Sequence, residues 1–155
     1  MTINIDQFKQ AMSQFASGVT IVTTLFNGKP IGMTASAFSS LSMDPPLIII
    51  NLSKKLFTHK VIAESGKFAV NILSVDQLER GMIFAGMRPE IEDRFAGVKT
   101  DTAVSGCPIF PDALAWVDCT VWEMYDGGDH SIIVGEVQDV HAQKSGQPLL
   151  YHNRA

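Results

Sequence analysis

The sequence predicts a β-barrel with short helices, an α+β arrangement. Three observations carry that prediction. Most of the apolar sequence falls in short runs rich in β-branched residues, at 19–26, 47–52, 68–73, 114–124 and 131–140. Hairpin-type turn signals, Asn27-Gly28 and Gly127-Gly128-Asp129, stand between runs that should pair. Helical periodicity is confined to three short stretches, so several strands stand around a few short helices.

Taken in order, Ile5, Phe8, Met12 and Phe15 recur at helical spacing, and Asn4 with Gln7 forms a capping box for a helix ending near Gly18. Residues 19–26 form a strand. After the Asn27-Gly28 turn, residues 31 to about 42 should return antiparallel to it. Pro45-Pro46 blocks pairing, and residues 47–52 follow as a central strand. Residues 58–65 read as a short helix stopped by Gly66. Residues 68–73 read as a strand. Ser74 and Gln77 make a second capping box, opening a helix that ends near Gly86. Residues 87–113, broken by Pro89, Gly97, Gly106, Pro108 and Pro111, read as an irregular loop on the surface or lining a subunit interface. A final pair of strands, 114–124 and 131–140, flanks the glycine turn. Trp116 and Trp122, six residues apart, should share one face of their strand and pack in the core.

The length of 155 residues fits one domain spanning 1–155. Twelve basic against sixteen acidic residues give a net charge of −4, which argues against a nucleic-acid surface. A hydrophobic content of 46% is high enough to expect some apolar surface between subunits. Cys107 and Cys119 share no metal-binding or C-x-x-C spacing and read as free thiols of a reducing compartment. The N-terminus lacks a basic start followed by an apolar run, and no apolar run approaches the roughly 18 residues of a membrane helix. The expectation is a cytoplasmic protein without membrane contact. No H-x-x-H, H-E-x-x-H or paired-cysteine spacing is present, so no metal site is expected. Neither a G-x-G-x-x-G nor a G-x-S-x-G motif occurs, so neither a Rossmann dinucleotide site nor a hydrolase elbow is expected.

The stretch Gly32-Met33-Thr34-Ala35-Ser36-Ala37-Phe38-Ser39-Ser40 is crowded with small hydroxyl residues and precedes the Asp44-Pro45-Pro46 break and an apolar strand. Small residues on an extended segment let a flat ligand lie against the backbone and bond to its N–H and C=O groups. With Phe15-Ala16-Ser17-Gly18-Val19-Thr20 before it, Asn51-Leu52-Ser53 and Phe57-Thr58-His59 after it, and Gly128-Asp129-His130 ahead of the last long strand, the chain resembles the flavin reductase-like family over nearly its whole length. These are FMN-binding split barrels of Greek-key type that serve as reductase components of two-component monooxygenases.

The resemblance implies the following roles. Met33, Thr34, Ala35 and Ser36 line the isoalloxazine ring. Asn51, Leu52, Ser53, Lys54, Phe57, Thr58 and His59 surround the ribityl phosphate, with Lys54 or Lys55 adding charge and the helix beginning near Thr58 offering unpaired N–H groups. Gly128 and His130 bind the nicotinamide, and Asp129 orients His130. Read without the resemblance, the first segment is a Ser/Thr-rich edge strand, the second a solvated loop with a capping Thr, and His130 an exposed hairpin residue. His141 and His152 read as surface residues.

The implied activity is an NAD(P)H:flavin oxidoreductase that passes hydride from NADH or NADPH to FMN or FAD. A partner flavin-dependent oxygenase would receive the reduced flavin. A homodimer is implied as well, with residues 81–95 available to wall the partner's site. Two alternatives share the barrel: a non-catalytic flavin-binding or storage module, and a heme-handling or pyridoxine-phosphate-oxidising relative.

Overall fold

The computed structural model describes residues 2–153. Helix α1 (Ile5–Ser13) is followed by strands β1 (Ser17–Gly18), β2 (Thr20–Phe26), β3 (Lys29–Ala35), β4 (Phe38–Met43) and β5 (Pro46–Ser53). Helix α2 (Phe57–Ser65), strand β6 (Lys67–Ile72), a short 3-10 turn at Val75–Gln77 and helix α3 (Leu78–Phe84) come next. Two short strands, β7 (Asp101–Thr102) and β8 (Pro108–Ile109), precede the long hairpin of β9 (Ala115–Gly127) and β10 (His130–Ala142), and β11 (Leu150–Tyr151) ends the fold.

Seven strands form one antiparallel sheet in the order β3-β2-β6-β9-β10-β5-β4. Only Ser36 and Ala37 join β3, at one edge, to β4, at the other. Two residues cannot span an open seven-stranded sheet, whose strands lie about 4.8 Å apart, so the sheet curls until its edges meet. The Asn51 N–H donates to the Ala37 carbonyl at 3.1 Å and fixes that crossing. Bulges in the β9–β10 pairing at Val134/Gly135 and Val137/Asp139 let these thirteen-residue strands bend around the barrel.

The interior holds Val22, Ile48, Ile50, Leu52, Phe68, Val70, Cys119 and Ile133, capped at one end by Ile62 of α2. A second cluster of Val19, Ile21, Leu73, Phe84, Phe110 and Ala113 lies on the outside of β2 and β6. It is covered by α3 and the segment that follows it. Both cysteines are buried and free, and burial pushes their thiols up, furthest for Cys119.

The first prediction about the loop changes here. Residues 87–113 are largely irregular, but they are not simply a surface loop. Cys107, Ile109, Phe110 and Ala113 are buried. Polar groups of the barrel pin them: Thr23 Oγ1 donates to the Pro108 carbonyl at 2.5 Å, and the Asn71 side chain accepts from the Phe110 N–H at 2.9 Å while its amide donates to the Ile21 carbonyl at 3.1 Å. Buried backbone groups must be paired, and these side chains pair those of the loop. Asn71→Ala strands the Phe110 N–H, so it should lower stability by about 2–3 kcal/mol in urea unfolding.

Other expectations shift in detail. The first helix stops at Ser13, and Asn4 Oδ1 caps it by accepting from Asp6 and Gln7 N–H groups at 2.9 and 3.2 Å. Residues 31–42 are two strands on opposite edges rather than one. Pro46 begins β5 opposite Met43, so Asp44-Pro45, joined by a cis bond, is a turn and not a gap in pairing. Asn27 and Gly28, with φ of 50° and 78°, form the left-handed hairpin turn expected of them. Gln77 Oε1 accepts from the Ser74 N–H at 3.0 Å, as the capping signal implied. Trp116 packs half-buried beside Ala69, Cys107 and Ile109. Trp122, at the first bulge, keeps the outer face it shares with Trp116, since Val117, Cys119 and Val121 pack on the interior, but it is 49% exposed rather than packed. His141 and His152 are exposed, as expected. Among the described residues, no helix is long and apolar enough to cross a membrane.

Candidate functional site

The floor of the site is the outer face of β4, β5 and β10. Along β5, Ile48, Ile50 and Leu52 point into the barrel, so Ile49, Asn51 and Ser53 point out. Residues directly opposite in a ladder share a face. The register sets Asn51 against Ile132 and Ser53 against His130. Asn51, Ser53 and His130, far apart in sequence, therefore occupy one continuous surface.

The β9–β10 turn holds His130. Gly128, at φ 78°, takes the left-handed position this two-residue turn requires. The Asp129 carbonyl accepts from the Lys54 N–H at 2.9 Å, which ties the turn to the end of β5. His130 Nδ1 lies 2.8 Å from Asp129 Oδ1. The His130 hydrogen bond and charge hold the Asp129 carboxyl below the usual carboxylate range. An ionised carboxylate only accepts, so the imidazole proton lies on Nδ1 and Nε2 is left for a second partner. Because the folded value is lowered, this pairing is present above the ordinary Asp value of about 3.9 and is lost only as pH falls through the lowered one. The Asp129 titration followed by NMR should therefore have its midpoint below that of an ordinary Asp, and His130→Ala should return it.

The expected ring-lining segment divides by face. Met33 and Ala35 turn toward the barrel interior. Thr34 turns outward, where its hydroxyl donates to the Gly81 carbonyl of α3 at 2.6 Å, so it is already spent. What the segment offers is backbone. Arg94 Nη1 donates to the Gly32 carbonyl at 3.0 Å, which shows that Gly32 directs its main-chain groups away from β2. By the alternation of an antiparallel ladder, Thr34 does the same at this edge of the sheet. Ser36 is exposed beside it.

The expected phosphate segment is similarly mixed. Leu52 is a core residue. His59 is turned onto the barrel, with Nε2 2.8 Å from Ser131 Oγ. Phe57 stacks edge-on against Phe26 at 5.0 Å. Helix α2 begins after Leu56, which provides no side-chain cap, so its first N–H groups remain available to an anion. Thr58 is buried in that first turn. Lys54 pairs with Asp126, whose carboxyl it holds low, whereas no ion pair involves Lys55 among the described residues.

Two hollows adjoin these residues. A cleft of about 660 Å³ lies between α1 and the barrel edge, with Ser36, Phe38 and Asn51 on its floor. A smaller one of about 330 Å³ joins Phe57 and Thr58 to Gly32 and Arg94. Arg94 falls only within the expectation for residues 81–95 as a whole, and α1 is not expected at the site from the sequence, since both arrive by tertiary packing. Residues 81–95, expected to wall a partner's site, lie along β3 of their own chain through the Gly81 and Arg94 bonds.

These features suit a flavin nucleotide: a free strand edge for the ring's polar rim, an uncapped helix start for a phosphate, and a cleft in the size range of ligand pockets. Comparison with known proteins agrees. The Flavin reductase like domain family matches residues 12–155. A probable flavin reductase of Rhizobium meliloti is 44% identical over 130 residues, which is 83% of this chain and 41% of that protein. The chain thus spans less than half the length of that relative. The reductase subunit of a flavin-dependent monooxygenase from Mycobacterium tuberculosis is 35% identical, covering 98% of this chain and 82% of its own. The solved structure of an NADH:FAD oxidoreductase from Streptomyces globisporus superposes with a TM-score of 0.90 at 30% identity, over all of this chain and 89% of that one.

Proposed function

Because the chain belongs to the flavin reductase like family, we infer that it is an NAD(P)H-dependent flavin reductase supplying reduced flavin to a partner oxygenase. One unit spanning residues 1–155 carries the activity. The observation that supports this reading most is the single outer surface running from Ser36 and Asn51, past Ser53, to the Asp129–His130 pair. When bound, the two nucleotides would supply the redox chemistry: a hydride, two electrons with one proton, would pass from nicotinamide C4 to flavin N5, leaving oxidised nicotinamide and anionic reduced flavin.

The protein's share is binding and orientation. Main-chain groups of Thr34 and Ser36 meet the polar rim of the ring, where fixed donors stabilise the negative charge of the reduced form. The first turn of α2, with Ser53 and Lys55, takes the phosphate. Lys54 is the weaker candidate for it, being matched by Asp126. His130, held by Asp129, presents Nε2 to the nicotinamide amide or the flavin. FMN and FAD both carry a phosphate that the uncapped start of α2 suits, so turnover is to be measured with each. Leu41, Met43, Trp122 and Tyr125 are exposed and apolar, which supports a homodimer.

Steady-state consumption of NADH and NADPH, each with FMN and with FAD, tests the reading. Turnover that depends on added flavin is expected. Tight flavin binding with neither nicotinamide nucleotide consumed would leave a binding module instead.

A further inference from the structure

Helix α1 buries no residue. Its apolar stripe nevertheless faces a site. Phe8, Met12 and Phe15, at helical spacing, form one wall of the 660 Å³ cleft, while being 51%, 56% and 78% exposed. The opposite wall mixes apolar Ile49 with polar Ser36, Ser39 and Asn51. An apolar helix face seated on another protein surface calls for an apolar counterpart. A wall that alternates apolar and hydrogen-bonding groups instead matches a flat heteroaromatic ring with a polar rim.

Among the described residues, the helix is anchored at one end only. The Asn153 N–H donates to the Ser13 carbonyl at 2.8 Å, and Gln14 Nε2 donates to Asn153 Oδ1 at 3.3 Å. Just beyond, β1 pairs with β11, Ser17 opposite Tyr151. At the other end Asn4 bonds only to the helix's own first turn. We propose that α1 is a hinged wall of the flavin cleft, its Phe8–Met12 stripe closing over the bound ring and swinging about residues 14–18, with Phe15 at the pivot, to release it. The proposal rests on the reductase reading, under which reduced flavin must leave for another protein. It adds the element that retains and releases the flavin. Closing would move apolar side chains from water onto the ring, which favours the closed state only while flavin is present.

The test is fluorescence titration of wild type and of a Phe8→Ser/Met12→Ser double variant with FMN, alongside trypsin cleavage at Lys9. Both altered side chains are exposed, so the variant should keep the wild-type melting temperature. Its Kd for FMN should rise about tenfold or more. Val104→Ser, equally exposed but remote from the cleft, should leave Kd unchanged. FMN should slow cleavage at Lys9 in wild type and not in the double variant. An unchanged Kd with cleavage indifferent to FMN overturns the hinged wall. So does a double variant that loses a dimer present in wild type while its monomer binds FMN normally, since a second copy would then cover the stripe. Wild type that binds no flavin at all would instead bring down the reductase reading beneath it.

Discussion

Gly135→Val is expected to leave little folded protein, and Gly135→Ala to lower stability by about 1–3 kcal/mol, a large share of the roughly 5–15 kcal/mol that holds a domain together. Gly135 lies on β10 opposite Val121 and Ile48. A Cβ there would stand 2.6 Å from Phe68 Cζ and 3.0 Å from Cys119 Cβ. Both neighbours are fully buried, so neither can yield without displacing the packed interior. Valine adds two more methyl groups to the same space. Thermal or urea unfolding measures the loss. Trimming the obstruction should recover part of it: Gly135→Ala with Phe68→Leu should be more stable than the sum of the two single changes implies, because the added methyl fills space the smaller side chain frees. Gly18→Ala, with nothing near its Cβ, should be close to neutral. Wild-type stability in Gly135→Ala would contradict this description of the core.

His130→Ala should reduce kcat/KM for NAD(P)H about 10–100-fold while changing the flavin Kd little, the loss of one or two good hydrogen bonds in the transition state. The geometry behind this is specific. The Gly128 turn, the Lys54 bond to the Asp129 carbonyl and the Asp129 carboxylate together fix the imidazole beside Ser53. Asp129→Asn keeps the shape of the turn but no longer requires the proton on Nδ1, so its effect should be smaller than that of removing the ring. The separation matters: a purely structural His130 would alter the melting temperature rather than the nicotinamide dependence. Equal kcat/KM in His130→Ala and wild type would move the nicotinamide elsewhere.

Much of this was legible in the chain because its signals are local. β-Branched runs, the Asn27-Gly28 turn and the Ser74–Gln77 cap each act within a few residues, and the structure has an element or turn at each. The crossing at Ser36-Ala37 was not legible. Whether residues 31–42 make one strand or two depends on where the sheet's two edges meet, and that is decided by β5 through the Asn51–Ala37 bond. The bulge at Trp122 hides for the same reason: an extra residue is defined only against the partner strand. At the site, the residue types were readable and their directions were not. Thr34 looks like a donor for a ligand until α3 takes its hydroxyl, and Lys54 looks like a free charge until Asp126 is folded beside it. Phe8, Met12 and Phe15 read as an ordinary amphipathic helix; only the fold shows their stripe across a cleft from Ser36 and Asn51.

The most direct measurement is anaerobic mixing of the flavin-loaded protein with one equivalent of NADH, and separately of NADPH, following the visible absorbance of the flavin. Loss of that absorbance in proportion to the nicotinamide added, faster than for free flavin and slowed by His130→Ala, is the predicted result. Flavin that stays oxidised with both nucleotides while bound to the protein would contradict the reductase account.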